Sequence, residues 1–460
     1  MIDINKVRHV HLVGIGGIGM SGIAEILLKQ DFIVTGSDIN ATHITHNLSA
    51  KGAKISIGHD EVQVIGADLV VYTAAANDDN PELVKARSLD IPTLSRAEML
   101  GIIMEAFSKS IAVSGAHGKT TTTSMLSLIL EHAAYDPTML IGGELKEIKG
   151  NAKIGNSEYF ITEACEYKDS FLHFKPQYGL VLNIDEDHLD YFENLEQIVS
   201  SFSAFAKSIP RKGCLFVNHD DYNAKRLKGH VDCNVITFGI NLDSDYQAKN
   251  ITFSESGHPS FEVYYQDALY EKFNLCIPGI HNIYNSLGAI TVASELGVPK
   301  ETIKKSLEQF GGVKRRFDRI GEKHGTLVID DYAHHPAEIK ATLAAARKYP
   351  YDRIWCVFQP HTYTRTNELL LEFARAFKEA DKIIITDIYA AREKNTVGIH
   401  SKDLVKEVLD EGCDVVYLET FDEIVEHLNE HTTHGDMVLT LGAGNIYQVA
   451  YKYLGLIPED

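Results

Sequence analysis

No two cysteines in this 460-residue chain are spaced as C-x-x-C; Cys165, Cys214, Cys233, Cys276, Cys356 and Cys413 stand singly. That scatter argues against a zinc site or a disulfide framework and fits a reducing cytoplasm. The N-terminus, Met1 to Lys6, lacks a basic region followed by a long apolar core, so no signal peptide is expected. No apolar run approaches the length of a bilayer span, so no membrane insertion is expected either. Net positive charge is also missing. With 44 Lys and Arg against 64 Asp and Glu, the formal charge is −20. That balance disfavours a generic nucleic-acid or anionic-membrane binder, yet leaves room for an anionic small substrate held by local basic groups. Long repeats, low-complexity tracts and Pro/Ser linkers are absent as well. The length, at 44% hydrophobic residues, points to about three domains with sizeable cores.

What the chain does carry is Ser-Gly-Ala-His-Gly-Lys-Thr-Thr-Thr, Ser114 to Thr122. It follows the apolar run Ile111–Val113 and precedes a helical pattern from Thr121 to His132. Strand, glycine turn, Lys-Thr and helix together cradle phosphates. Backbone N–H groups and the helix N-terminus face the anion, Lys119 neutralises β/γ-phosphate charge, and the Thr120 hydroxyl is placed to ligate Mg²⁺. The usual first glycine of such loops is replaced by Val113, and the extra glycine is Gly115. A nucleoside triphosphate is the expected ligand.

Around this loop, short β-rich runs alternate with helical patterns, the signature of parallel α/β units. Strands are expected at Val7–Val13, Phe32–Gly36 and Leu69–Tyr72, with a helix at Met20–Lys29. A second block starts at Ser110 and continues through Tyr159–Glu163 and Gly179–Asn183. Ser244–Ile277 reads as an antiparallel insertion. A third block from Lys314 has strands at Leu327–Asp330, Ile354–Phe358, Ile383–Thr386 and Val438–Leu441, and helices at Pro336–Lys348 and Glu368–Lys378.

Gly14-x-Gly16-Gly17-x-Gly19 follows the first strand, with Asp38 after the second. Alone, this fingerprint suggests a nicotinamide-dependent dehydrogenase, but the same turn cradles any diphosphate, including that of a UDP-sugar. A further constellation, Glu163-Ala-Cys-Glu166 and Asp185-Glu186-Asp187-His188-Leu189-Asp190, follows two strands of the loop-bearing sheet. Carboxylates and an imidazole at that carboxyl edge suit Mg²⁺ bridging nucleotide phosphates.

The ordered set Gly-x-His-Gly-Lys-Thr-Thr, Glu163, Asp187-His188, His281-Asn282-x-x-Asn285, Arg315-Arg316-Phe317-Asp318 and Asp330-Asp331-Tyr332-Ala333-His334-His335-Pro336 resembles the Mur ligases. The likeness runs from Val10 to about Gly444. The turn Gly14-Ile-Gly-Gly-Ile-Gly-Met20 is similar to that of the branch adding L-alanine to UDP-N-acetylmuramate. The resemblance implies an α/β chain of three domains: an N-terminal Rossmann-like UDP-sugar domain (1–108), a central P-loop ATPase-type domain (109–314), and a C-terminal Rossmann-like domain (315–460) completing the amino-acid site. It implies ATP and Mg²⁺ as cofactors, with UDP-N-acetylmuramate and L-alanine as partners.

Carried over by position, Gly115, Ala116, His117, Gly118, Lys119, Thr120 and Thr121 would hold ATP phosphates. Thr120 and Glu163 would hold one Mg²⁺, and His188 a second; Glu166 competes with Glu163 for its role. Asn282 and Asn285 match nucleotide contacts, Arg316 a phosphate contact, and Asp331 the aspartate that follows the linker. Gly14, Gly16, Gly17, Gly19 and Asp38 would serve the UDP-sugar, and Tyr332, His334 and Arg365 the amino acid. His334 is a candidate base for the amine, a structural histidine being the other reading. Two departures stand out. Thr362 replaces a frequent arginine, and Ser201-Phe-Ser-Ala204 occupies the neighbourhood of a carbamylated lysine found in other branches, so no carbamate ligand is expected.

Three readings compete with alanine ligation. A ligase recycling a preformed peptide onto UDP-N-acetylmuramate has the same architecture. A dehydrogenase leaves the phosphate loop unexplained, and a non-catalytic ATP switch leaves everything but that loop unexplained.

Overall fold

Three blocks of parallel strands give three sheets. The computed structural model describes residues 4–148, 150–188, 191–255, 257–391 and 393–457. Leu189 and Asp190 of the acidic segment and Met1 to Asp3 of the N-terminus lie outside these residues. The first sheet is wholly parallel, in the order Lys54–Ile57, Ile33–Asp38, His9–Val13, Leu69–Tyr72, Thr93–Ser95. Its order reverses beside His9–Val13, which opens a crevice at the strand's carboxyl end, where the glycine turn sits.

The ten-stranded central sheet has Lys109–Ser114 at its middle, flanked by Tyr159–Ala164 and Tyr178–Val181. These strands are apolar on both faces, as burial beneath helices on both sides demands. The stretch expected as an antiparallel insertion, Ser244–Ile277, does hold antiparallel strands, and it also extends this sheet. Tyr246–Phe253 pairs in parallel with Asn234–Gly239, and the antiparallel strands Pro259–Tyr265 and Ala268–Asn274 follow it. Hydrogen bonding to the sheet edge, which local alternation does not reveal, decides this. At the opposite edge lie Thr138–Leu145 and Gly150–Lys153, strands the glycine-containing sequence does not announce.

The third sheet runs Asp318–Lys323, Thr326–Asp331, Asp436–Leu441, Arg353–Phe358, Lys382–Ile385, Val415–Tyr417, parallel except at its first strand. The helix expected at Glu368–Lys378 is broken. Leu369 leaves helical geometry between Tyr363–Glu368 and Leu370–Ala374, and Phe373 and Phe377 then pack on Phe358.

The first two units share one core. Met20, Ile23 and Leu27 of helix Ile18–Lys29 join Leu140 and Phe160 of the central sheet in a single apolar cluster. Each such buried side chain stabilises by about 1.5–3 kcal/mol, so this junction is held by apolar packing. The junction to the third unit is held differently. Arg315 and Phe317 adopt φ of +61° and +49°, a conformation costing non-glycine residues about 1–3 kcal/mol each. Asp331 accepts the Phe317 N–H at 2.7 Å, and Asp330 accepts Arg315 Nε–H at 3.1 Å. The strained connection is therefore pinned to strand Thr326–Asp331. Among the described residues, no helix is long and apolar enough to cross a membrane.

Candidate active site

Lys109–Ser114 ends at the carboxyl edge of the central sheet, and helix Lys119–His132 begins after four intervening residues. The intervening loop needs its glycines. Gly115 and Gly118 have φ of +142° and +85°, and a Cβ on Gly118 would collide with the Asn285 side-chain oxygen. Asn183 braces the loop from the next strand: its Oδ1 accepts the His117 N–H at 2.8 Å and its Nδ2 donates to the His117 carbonyl at 3.0 Å. Its position just after a strand at this edge was the available signal, but its bracing role was not legible.

Lys119 is half-buried and fully engaged. Its Nζ donates to the Gly115 and Ala116 carbonyls at 2.5 and 3.1 Å and to both Glu166 oxygens at 3.1 and 3.0 Å. Burial disfavours its charge, but the Glu166 carboxylate outweighs that and raises its pKa. The lysine is a fixed cation at the helix N-terminus, where an anion is already favoured.

The acidic residues divide into two places. Glu166, Asp187 and His188 offer ligand atoms within 4.8 Å of one another. Glu163 stands outside that group. Its carboxylate accepts the Gly142 N–H at 2.6 Å, and a Cβ on Gly142 would approach both its oxygens to 2.7 Å. Thr120 lies against the adjoining Gly143, whose added Cβ would come within 3.2 Å of the threonine methyl. Thr120 and Glu163 thus share the Gly142–Gly143 edge, whereas His188 keeps company with Glu166. Asp187 also accepts from Arg365 of the third unit at 3.2 Å. Burial pushes the Asp187 carboxyl up, but His188 and Arg365 prevail and hold it well below the usual range. An imidazole with two carboxylates is an oxygen-rich donor set that fits a divalent cation such as Mg²⁺.

A cavity of about 330 Å³ runs from the phosphate loop to the third unit, lined among others by Gly118, Thr121, Asn282, Asn285, Arg316 and Asp331. Asn285 Nδ2 donates to Asn282 Oδ1 at 3.0 Å, and Asn282 Nδ2 to the Pro278 carbonyl at 2.7 Å, which fixes both amides. The Arg316 guanidinium lies 5.0 Å from the Tyr332 ring centre. Asp331, accepting from Phe317 and Ala333 N–H groups, is so buried that its carboxyl is pushed up to about 6.

A second cavity, about 340 Å³, is lined by Tyr332, Arg365, His361 and Thr362 of the third unit and by Asp187 and His188 of the central one. His334 stands behind it, its ring 5.4 Å from that of Tyr332 and 5.7 Å from that of His361. Burial pushes the His334 pKa down to about 4, so its imidazole is neutral at physiological pH. Its Nδ1 lies 3.0 Å from the Tyr332 carbonyl, which assigns the proton to Nδ1 and leaves Nε2 with the lone pair.

A third cavity, about 310 Å³, lies between the first two units and is lined by Gly17, Gly19, Thr73, Arg96, Gly142 and Glu163. Arg96 and Thr73 were not singled out from the sequence; only the fold brings them to the glycine turn. Asp38, expected to serve the UDP-sugar, accepts the Gly16 N–H at 2.8 Å and so holds the turn itself. A Cβ on Gly16 would come within 2.9 Å of both Asp38 Oδ2 and the Thr45 methyl. Gly16→Val is therefore expected to weaken binding of a UDP-sugar by at least about tenfold, since the turn must approach the diphosphate closely. ATP affinity should stay within about twofold, because the phosphate loop lies in another unit. Calorimetry with both nucleotides checks this; equal losses, or measurable NADH affinity, would contradict it.

Three domain families match the chain: "Mur ligase family, catalytic domain" over residues 9–108, "Mur ligase middle domain" over 113–293, and "Mur ligase, glutamate ligase domain" over 315–444. The chain is 53% identical over 453 residues to UDP-N-acetylmuramate–L-alanine ligase of Caldanaerobacter subterraneus subsp. tengcongensis, covering 98% of each. It is 52% identical over 453 residues to the ligase of the same name from Alkaliphilus metalliredigens, again covering 98% of each. Among solved structures, UDP-N-acetylmuramate-alanine ligase of Thermotoga maritima superposes with a TM-score of 0.82 at 29% identity, covering 97% of this chain and 98% of that one. A murein peptide ligase of Psychrobacter arcticus superposes with a TM-score of 0.75 at 26% identity, covering 97% and 98%.

Proposed function

The chain belongs to the Mur ligase family, and from that premise we propose that it joins L-alanine to the carboxylate of UDP-N-acetylmuramate at the expense of ATP. The carrying observation is full-length identity of about half to ligases of that name, with one cavity lined by the phosphate loop and two more lined by Asp187 with His188 and by Glu163. Peptide recycling is not favoured. We place the reaction in the cytoplasm, whose reducing poise suits six free cysteines.

A carboxylate is a poor electrophile, so it must be activated. Transfer of the γ-phosphoryl group from ATP gives an acyl phosphate and ADP; the alanine nitrogen then attacks the acyl carbon, and phosphate leaves. Lys119 and the amides opening helix Lys119–His132 hold the charge on the moving phosphoryl group. Arg316, facing the nucleotide cavity, lets two anions approach each other. Thr120 with Glu163, and His188 with Asp187, would hold Mg²⁺, which supplies charge neutralisation between the phosphates and the substrate carboxylate. The UDP-sugar enters the cavity beside Gly17, Gly19 and Arg96, which Glu163 also lines. Tyr332 and Arg365 shape the alanine pocket. His334 Nε2 accepts the proton from nitrogen after attack, when that nitrogen is far more acidic than free alanine and a weak base suffices. Cover by the third unit excludes water, which would otherwise hydrolyse the acyl phosphate.

The activation step is tested with UDP-N-acetylmuramate carrying heavy oxygen in its carboxylate. Label should pass to the released phosphate. Its complete retention in the product would overturn the acyl phosphate.

A further inference from the structure

The phosphate loop and the alanine pocket lie in different units, yet one chain of polar contacts joins them. His117, inside the loop, places Nδ1 3.3 Å from Glu338 Oε1 and Nε2 3.6 Å from Asp185 Oδ2. Glu338 opens helix Pro336–Ala346 of the third unit. Its other oxygen accepts the His334 N–H at 3.0 Å and the His335 N–H at 3.3 Å, closing a capping box. The same oxygen lies 3.3 Å from His334 Nδ1, which is 3.0 Å from the Tyr332 carbonyl. Tyr332 lines the alanine cavity.

Two carboxylates on one imidazole favour its protonated form. Burial opposes this, but Asp185 and Glu338 outweigh it and raise the His117 pKa to about 10. His117 is thus a cation clamped between a central-unit and a third-unit carboxylate, with the His335 ring centre 5.2 Å away. An ordinary helix cap needs only the contacts of Glu338 Oε2. The contact of Oε1 with the phosphate loop is surplus to capping and crosses the unit boundary.

We propose that His117 and Glu338 are positioning residues that couple the phosphate loop to the alanine pocket, so that a nucleotide on the loop orders the turn at 332–335. This rests on the ligase reading for its substrate, but the coupling itself needs only a nucleotide on the loop. Coupling of this kind is reciprocal and amounts to about 5–150-fold in affinity.

The test uses the full chain as wild type, His117→Gln, Glu338→Gln and the double variant. Glutamine at 338 retains an acceptor for the cap, and the His117 variant leaves helix Pro336–Ala346 untouched. In steady-state phosphate release, each single change should raise the KM for L-alanine by about tenfold, with kcat changed less. The double variant should be no worse than either single, because both break one link. A second readout does not depend on turnover. A non-hydrolysable ATP analogue should slow hydrogen exchange over residues 332–339 in the wild type and lose that effect in both variants. Unchanged alanine KM, multiplying effects in the double variant, or retained protection in the variants would overturn the coupling. A wild type that shows the protection but no alanine-dependent phosphate release would overturn the ligase reading alone.

Discussion

Lys119→Ala is expected to lower the ligation rate by about two to three orders of magnitude, the usual cost of removing one preorganised donor from a developing negative charge. The effect should fall on kcat, because the lysine's contribution grows as charge moves onto the transferred phosphoryl group. The geometry adds a structural consequence. Lys119 is the partner of the buried Glu166 carboxylate, so its loss strands a charge and should lower the melting temperature. Lys119→Ala combined with Glu166→Gln should restore the melting temperature without restoring turnover. Stopped turnover with recovered folding separates the catalytic role from the structural one. Near-normal turnover in Lys119→Ala would refute the phosphate-loop assignment.

The second large effect concerns the carboxylates. Glu163→Ala and His188→Ala should each raise the Mg²⁺ concentration for half-maximal rate by at least about tenfold and lower the rate at saturation. Glu166→Ala should be milder. Both Glu166 oxygens are already occupied by Lys119, whereas Glu163 meets the single amide of Gly142 at one oxygen. A carboxylate with free lone pairs is the better ligand for a hard cation. Mg²⁺ titrations of the three variants give the ranking. Glu166→Ala exceeding Glu163→Ala would transfer the ligand role to Glu166.

Local rules made much of this legible. Leu69–Tyr72 is a strand with the expected limits, since a short apolar run bounded by turn residues allows little else. The phosphate loop followed from glycine spacing between a strand and a helix, and Gly118 meets the positive φ that such a turn requires. Other features depend on contacts distant in sequence. The strand Tyr246–Phe253 joins the central sheet because Asn234–Gly239 offers an edge. Glu163 and Glu166 are three residues apart and compete in sequence for one metal role. They separate because one ends up facing Gly142 on a neighbouring strand and the other Lys119. The spacing of Asp38 assigns it to the UDP-sugar, but not its hydrogen bond to Gly16, which the fold supplies. The sequence places His117 only within the phosphate loop and not against Glu338, because that partner lies 221 residues away.

The central claim is tested most directly by phosphate release from ATP and Mg²⁺ with UDP-N-acetylmuramate present and each amino acid supplied in turn. Release should depend on all three substrates and be fastest with L-alanine. Release that ignores the amino acid, or that responds to a preformed peptide and not to L-alanine, would contradict it.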